Sequence, residues 1–398
     1  MTSRMKLARR LEHIEPFYVM ACAKVARQIA ASPACDPARG GERMLYLNIG
    51  EPDFTAPAPV VAAAEAALRA GRTQYTEAVG LPALRERIAA WYARRWGGQV
   101  SPHRIVVTSG ASAALQLVCH ALFEPGDEVL MPDPSYPCNR HFVAAAGAAA
   151  RLVATTPDSR FQLDADAVRA HWSPATRGVL LASPSNPTGT SIAPAELARI
   201  VDAVREREGV CIVDEIYQGL SFDPAFEACA LRLGEDIVSI NSFSKYFSMT
   251  GWRLGWVVLP EALVEPVERL AQNLYICPSA VAQHAALACF DDASLAECEA
   301  RRAAFRTRRD YIVPALERIG LPVPVVPDGA FYVWADCRGH ASDSWDFCMR
   351  MMERAHVALT PGKDFGPGHA DTYFRLSFAT SMAELEETVA RLGRELKG

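Results

Sequence analysis

No stretch of this 398-residue sequence runs for the roughly 18 apolar residues that a membrane-spanning helix needs, so no membrane partner is expected. An excess of positive charge is missing as well. There are 41 Lys and Arg against 46 Asp and Glu, a net charge of -5, which argues against nucleic acid or an anionic surface as partner. The eleven cysteines include no C-x-x-C pair, and an odd number closes no complete disulfide framework. They point to a reducing cytosol and to no zinc or other metal site, with Cys119, Cys211 and Cys289 lying in apolar runs as small core residues. Internal repeats and low-complexity tracts are absent. One targeting segment has to be weighed, because residues 17–23 are apolar and follow several basic residues. That run is short, Lys24 interrupts it, and Glu12 and Glu15 fall where a leader would be basic. A helix over 16–31, with Pro16 in its first turn and an apolar stripe, is the better reading, and a cytoplasmic protein is expected.

What is present suits a globular chain with a large core. Half the residues are hydrophobic and 22% are charged, and the length allows two to three domain-sized units. A strand is expected over 45–49, then helices over 57–70 and 81–96. From Arg104 onward short apolar runs alternate with helical patterns. Strands fall at 105–108, 128–131, 151–154, 179–182, 210–213, 237–240 and 256–259, and helices at 111–122, 136–147 and 194–208. Such alternation implies an α/β fold, here a mainly parallel seven-stranded sheet covered by helices on both faces. After Pro260 strands become rare. A long helix is expected over 293–319, with Pro314 as a kink point. Its residues Arg301, Arg302, Arg306, Arg308 and Arg309, mixed with Glu297 and Glu299, read as a solvated face. Strands at 331–335 and 372–377 and helices at 344–355 and 382–396 suggest a smaller α+β unit. The expected division is a large domain over 46–290 and a small one built from 1–45 and 291–398.

Ligands of doubly covered sheets sit beyond the carboxyl ends of the strands, and the distinctive polar residues fall there. Lys245 follows closely on a strand end within an apolar frame. An ammonium in such a place is costly, which favours a lowered pKa or a covalent partner and suits Schiff-base chemistry. Arg253, eight residues on, offers a forked cation of the kind that holds a phosphate. Gly110, Ala111 and Ser112 form a strand-to-helix turn, an anion site by dipole and geometry or else a simple N-cap. Asp214 ends an apolar strand and either holds a protonated pyridine nitrogen or caps the next helix. Asn186, restricted by Pro184 and Pro187, offers a held amide or belongs to a plain turn. Tyr136 either stacks on a ring or fills the core. Singly these features are ordinary; in succession at the strand ends of one sheet they point to pyridoxal phosphate.

The sequence resembles the class I/II aminotransferases, pyridoxal-phosphate enzymes of fold type I. The matching motifs are Asn48-Ile-Gly-Glu-Pro-Asp-Phe54, Tyr75-Thr-Glu-Ala-Val-Gly-Leu81, residues 183–189, Asp214-Glu-Ile-Tyr217, residues 242–255, Gly329-Ala-Phe-Tyr332, Pro361-Gly-Lys-Asp-Phe-Gly366 and Phe374-Arg-Leu-Ser377. They cover nearly the whole chain. The resemblance implies that Lys245 carries the cofactor as a Schiff base and that Asp214 pairs with its ring nitrogen. By the same likeness Asn186 and Tyr217 bond its ring oxygen and Tyr136 stacks on the ring. Gly110, Ala111, Ser112, Ser242, Ser244 and Arg253 would surround its phosphate. Tyr75 would reach the phosphate of a neighbouring subunit, making a homodimer with shared sites. Arg375, helped by the Gly50 backbone and Asn186, would bind the substrate α-carboxylate.

The reaction implied is transfer of an α-amino group between an L-amino acid and a 2-oxo acid with ping-pong kinetics. Some aspartate-using members carry a lysine where this sequence has Ser112. That difference, with Ile14, Phe17 and Tyr332 as an apolar lining, favours a neutral donor such as alanine, a branched-chain residue, methionine or an aromatic residue. The acceptor would be 2-oxoglutarate or pyruvate. Rival readings on the same scaffold are an aspartate aminotransferase, a β-lyase and a cyclopropane-forming synthase. A non-enzymatic regulator would need a DNA-binding extension, and the segment before Leu45 is too short for a winged-helix module.

Overall fold

In a computed structural model the described residues are 7–8, 11–12, 14–16 and 18–397. The strands in chain order are β1 (Leu45–Tyr46), β2 (Ile105–Thr108), β3 (Glu128–Asp133), β4 (Ala149–Ala154), β5 (Thr176–Ala182), β6 (Val210–Asp214), β7 (Val238–Ser242), β8 (Gly255–Val258), β9 (Tyr332–Asp336), β10 (Val357–Ala358), β11 (Thr360–Pro361) and β12 (Tyr373–Ser377). Seven of them form one sheet in the order β2-β8-β7-β6-β5-β3-β4. Only β8 runs antiparallel to its neighbours, while the pairs from β7 through to β4 are parallel. The expected seven-stranded α/β sheet is thus present. Its central strands are buried throughout because helices cover both faces: Ala111–Leu122 and Glu261–Leu274 pack into one apolar layer, Pro194–Arg205 into the other.

A second sheet, β11-β12-β9, is antiparallel. The expected strand over 45–49 is shorter, because only Leu45 and Tyr46 pair, with Val357 and Ala358 of β10. The first part of the chain therefore joins the C-terminal part. The helix Tyr18–Ala30 packs there too, with Cys22 and Ala26 against Met352. Phe17, at the start of the expected helix, lies outside the described residues. Three helices had no sequence expectation: Ala165–His171, Ala280–Ala286 and Glu261–Leu274. The first two are barely two turns long, and Pro266 interrupts the pattern of the third.

The long helix Asp292–Arg318 runs on through Pro314. Its basic face is not simply solvated. Arg301 and Arg308 are buried. Arg308 makes a bidentate pair with Asp53, at 2.7 and 2.8 Å, and both guanidinium groups lie over Phe54. Two arginines of the expected outer face thus turn inward and tie the loop after β1 to this helix. All eleven cysteines are free, and Cys119, Cys211 and Cys289 are buried as expected. Among the described residues no helix is long and apolar enough to cross a membrane.

Candidate active site

Residues 242–255 are organised by alternation. Phe243, Tyr246 and Phe247 are buried in an aromatic cluster with Trp91, Trp256 and Phe290, Phe243 lying 4.8 Å from the Trp256 ring. Each such ring contributes roughly 2–3 kcal/mol by burial. The residues between them, Ser242, Ser244 and Lys245, face a cleft of about 400 Å³. Tyr246 is held from behind: its hydroxyl donates to Glu299 at 2.6 Å, and Arg95 donates to that hydroxyl at 3.1 Å. The aromatic side of the segment anchors it, and its polar side is presented to the cleft.

The topology brings the polar residues to one edge. Gly110, Tyr136, Asn186, Asp214 and Lys245 lie at or beyond the carboxyl ends of β2, β3, β5, β6 and β7. Because β8 is antiparallel, its beginning lies at the same edge, and Arg253 precedes it. Of the residues expected to hold the cofactor or the α-carboxylate, all but Gly110 and Tyr75 line the one cleft. Gly110 sits directly behind it: its φ is +81°, and a Cβ there would stand 2.5 Å from Arg253 Nη2. The positive φ favours glycine, and a Cβ would push the Arg253 guanidinium aside. Tyr75 stands apart, 80% exposed.

At one end of the cleft, Ser242, Ser244, Arg253 and the N-terminus of Ala111–Leu122 gather donors suited to an anion such as a phosphate. Ser242 Oγ bonds Ser244 Oγ at 2.9 Å and receives the Ser244 amide at 3.0 Å. Arg253 has φ +52°, a conformation that costs a side chain about 1 kcal/mol, and is tied to the Thr250 carbonyl at 2.9 Å.

Lys245 and Asp214 supply the titratable centre. Burial, together with Arg375 and Arg253, brings the Lys245 ammonium from 10.5 down to about 8, against the pull of Glu51 and Asp214. Its Nζ donates to the Gly50 carbonyl at 2.6 Å. Burial raises the Asp214 carboxyl to about 7, despite the Ile216 amide donating to Oδ1 at 3.2 Å and the nearby Lys245 charge. Tyr217 and Tyr332 share a hydrogen bond of 2.7 Å between hydroxyls, and burial holds Tyr217 protonated well above its ordinary range.

At the other end Arg375 is buried and already oriented. Its Nη1 donates to Asn186 Oδ1 at 2.8 Å and its Nη2 to the Asn48 carbonyl at 2.7 Å, with the Tyr332 ring 4.5 Å away. With its oxygen so engaged, the Asn186 amide has only its NH₂ group left to donate. Contributors that had not been expected include the Asn48 carbonyl, Thr360, Val19, Met20, Ile49, Leu115 and Ile216. Thr360 carries a readable signal only once its pairing with Arg375 across β11 and β12 is known. Val19 and Met20 line the cleft in place of the expected Ile14, which is 37% exposed and lies away from it.

The family model of aminotransferase class I and II matches residues 42–392. A valine–pyruvate aminotransferase of Mycobacterium tuberculosis is 39% identical, over 96% of each chain. An arginine–pyruvate transaminase of Pseudomonas aeruginosa is 37% identical, over 88% of this chain and 90% of its own. The crystal structure of an aminotransferase from Mycobacterium tuberculosis superposes with a TM-score of 0.93 at 38% identity, covering 99% of both chains. On the extent of these matches, and with the cleft as described, the chain belongs to the class I and II aminotransferase family.

Proposed function

We propose that this aminotransferase binds pyridoxal phosphate in the cleft and moves the α-amino group of a neutral L-amino acid to pyruvate. Three features fit the cofactor. A Cβ at Gly110 would fill the space beside Arg253. Asp214 is buried with one hydrogen bond among the described residues, from Ile216, and a cationic ring nitrogen would complete its pairing. The NH₂ group of Asn186 suits a phenolate oxygen. Lys245 would carry the cofactor, Tyr136 would cover its ring, and Tyr217 would join Asn186 at the ring oxygen. Gly110, Ala111, Ser112, Ser242, Ser244 and Arg253 would hold its phosphate. When bound, pyridoxal phosphate supplies an electron sink for the substrate α-carbon.

The chain's own residues do the rest. Arg375 takes the α-carboxylate through its fork and fixes the α-carbon relative to Lys245. The Lys245 amine, lowered to about 8 by its surroundings, would accept the α-proton and return it as a general base and acid. Asp214 stays anionic opposite a cation and keeps that cation in place. Tyr332 and Tyr217 close the cleft beside Arg375 and limit water there.

The observation that carries the donor class is the lining. Val19, Met20, Ile49, Leu115 and Ile216 are apolar, Glu51 adds a negative charge, and among the described residues the three cations on the cleft wall, Lys245, Arg253 and Arg375, all have assignments. A second carboxylate on the substrate would meet none of them free. The two named relatives that use pyruvate support that acceptor over 2-oxoglutarate. We also place the larger domain at 46–290, with Tyr75 reaching the partner's site in a homodimer.

The test is a visible absorption spectrum of the purified protein. A band that falls on adding valine or alanine and returns on adding pyruvate is expected. A protein with no such band, even after added pyridoxal phosphate, does not use Lys245 as stated. A dominant rate with aspartate overturns the donor class.

A further inference from the structure

The run Pro361-Gly-Lys-Asp-Phe-Gly366 has no role in the chemistry derived above, yet it touches both ends of the substrate's position. Asp364 is fully buried. Its Oδ1 accepts the Tyr18 amide and its Oδ2 the Val19 amide, both at 3.0 Å. These are the first residues of the helix Tyr18–Ala30, and the opening amides of a helix have no partner within it. One carboxylate satisfies two of them with charge-assisted bonds, at the end where the helix dipole favours an anion. Val19 and Met20 stand on the cleft wall.

The residue after Asp364 faces the other way. The Arg375 guanidinium lies 5.1 Å from the Phe365 ring. Thr360, opposite Arg375 in the strand pairing, accepts from Arg375 Nη2 at 3.4 Å. Arg140 donates to the Asp364 carbonyl at 3.2 Å, and the Ser135 amide to the Phe365 carbonyl at 2.9 Å. A single short segment therefore holds the anchor for the α-carboxylate and the start of the helix that supplies the apolar wall.

We propose that Asp364 is a positioning residue for donor selection. By holding the Tyr18 and Val19 amides it fixes how far the wall of Val19 and Met20 stands from Arg375, and hence the size of side chain that packs between them. The proposal rests on the neutral-donor reading. Contact with one or two methyl groups of a substrate is worth roughly 10-fold or more in selectivity when the wall is held in place, and far less when it is loose. The effect belongs in the ratio of kcat/KM for valine to that for alanine, because both donors present the same carboxylate to Arg375 and any change at that residue cancels.

The test compares wild type with Asp364→Ala and Asp364→Asn, the latter keeping one acceptor oxygen. Two readouts are taken on the holoenzyme: hydrogen exchange in peptides covering residues 18–25, and kcat/KM for valine and alanine with pyruvate. Faster exchange in Asp364→Ala, a fall in the valine-to-alanine ratio of about fivefold or more, and intermediate behaviour of Asp364→Asn are expected. Unchanged exchange shows that Asp364 does not hold the helix and overturns the proposal. Faster exchange with an unchanged ratio overturns its part in donor selection. A wild-type enzyme that prefers aspartate to both donors overturns the neutral-donor reading instead, and the exchange result then decides the anchoring role by itself.

Discussion

Asp214 and Glu215 are adjacent, both buried, and both raised to about 7 by burial. Their surroundings separate them. Glu215 accepts from Ser239 Oγ at 2.5 Å and from the Ala230 amide at 2.9 Å, and Gln218 adds a third donor at 3.3 Å. It is a satisfied structural acid. Asp214 has the single Ile216 amide and a place on the cleft wall. Without cofactor, then, Asp214 carries a stability cost. Its folded pKa of about 7 lies above the ordinary 3.8, so the folded state binds the extra proton. Its favourable contribution is complete below about pH 4 and is lost as pH rises through 7, a change of up to about 4 kcal/mol. Glu215 adds a slope of the same sign, and because the Asp214 charge helps to raise it, Asp214→Asn relieves part of that slope as well. Cofactor-stripped Asp214→Asn should therefore be more stable than stripped wild type in urea melts at pH 8, with the gap closing toward pH 4. Equal stability at pH 8 would show that the Asp214 charge is already compensated. With cofactor bound the same variant should lose most of its turnover, because its amide no longer holds a cation.

At the scale of elements, the strand–loop–strand unit from β7 to β8 is the part most open to reading. Its aromatic anchors and polar face alternate within fifteen residues, and the expected lysine, serines and arginine all reach the cleft. The same holds for Asn186 and Asp214, each set by the strand it follows. What escaped reading depends on partners far along the chain. Asp364 meets Tyr18 across 346 residues and Arg308 meets Asp53 across 255. Neither pairing leaves a periodic trace in the sequence, so a buried arginine reads like a solvated one. Ile14 lies three residues before the apolar run 17–23 that holds Val19, and the start of the helix, capped by Asp364, is what brings Val19 to the cleft. The anchor side of the lysine unit allows a direct test. Phe243 is fully buried against Trp256 and Phe290, so Phe243→Ala should cost about 3–5 kcal/mol of stability. Because Phe243 lies two residues before Lys245, kcat should fall more than KM rises. A variant that loses stability but keeps kcat would show that the loop is held from the Tyr246 side instead.

For the whole molecule the telling residue is Tyr75, 80% exposed and outside the cleft of its own chain. If it completes the site of a partner, the two chains of a dimer each depend on the other. Complementation checks this. Lys245→Ala and Tyr75→Ala homodimers should each be impaired, the first to background and the second in cofactor retention. Unfolding and refolding them together should create hybrids in which one site has both residues intact, and activity should rise above the average of the two parents. A mixture that merely averages would place Tyr75 outside the site.

The pairing of β1 with β10 and the cap on Tyr18–Ala30 by Asp364 also bear on how the protein is made. The amide of Val19 and its acceptor are 345 residues apart. At about 5–20 residues per second, a ribosome needs on the order of 20–70 s to supply the second after the first. For that interval the helix Tyr18–Ala30 has only Cys35 and Met44 of its apolar cluster to pack against, with Trp345, Met349, Met352 and Ala358 still to come, while the seven-stranded sheet between them can form and close. A segment synthesised late thus gives this earlier helix its place, and until it arrives the nascent chain offers that stripe to chaperones or to other chains.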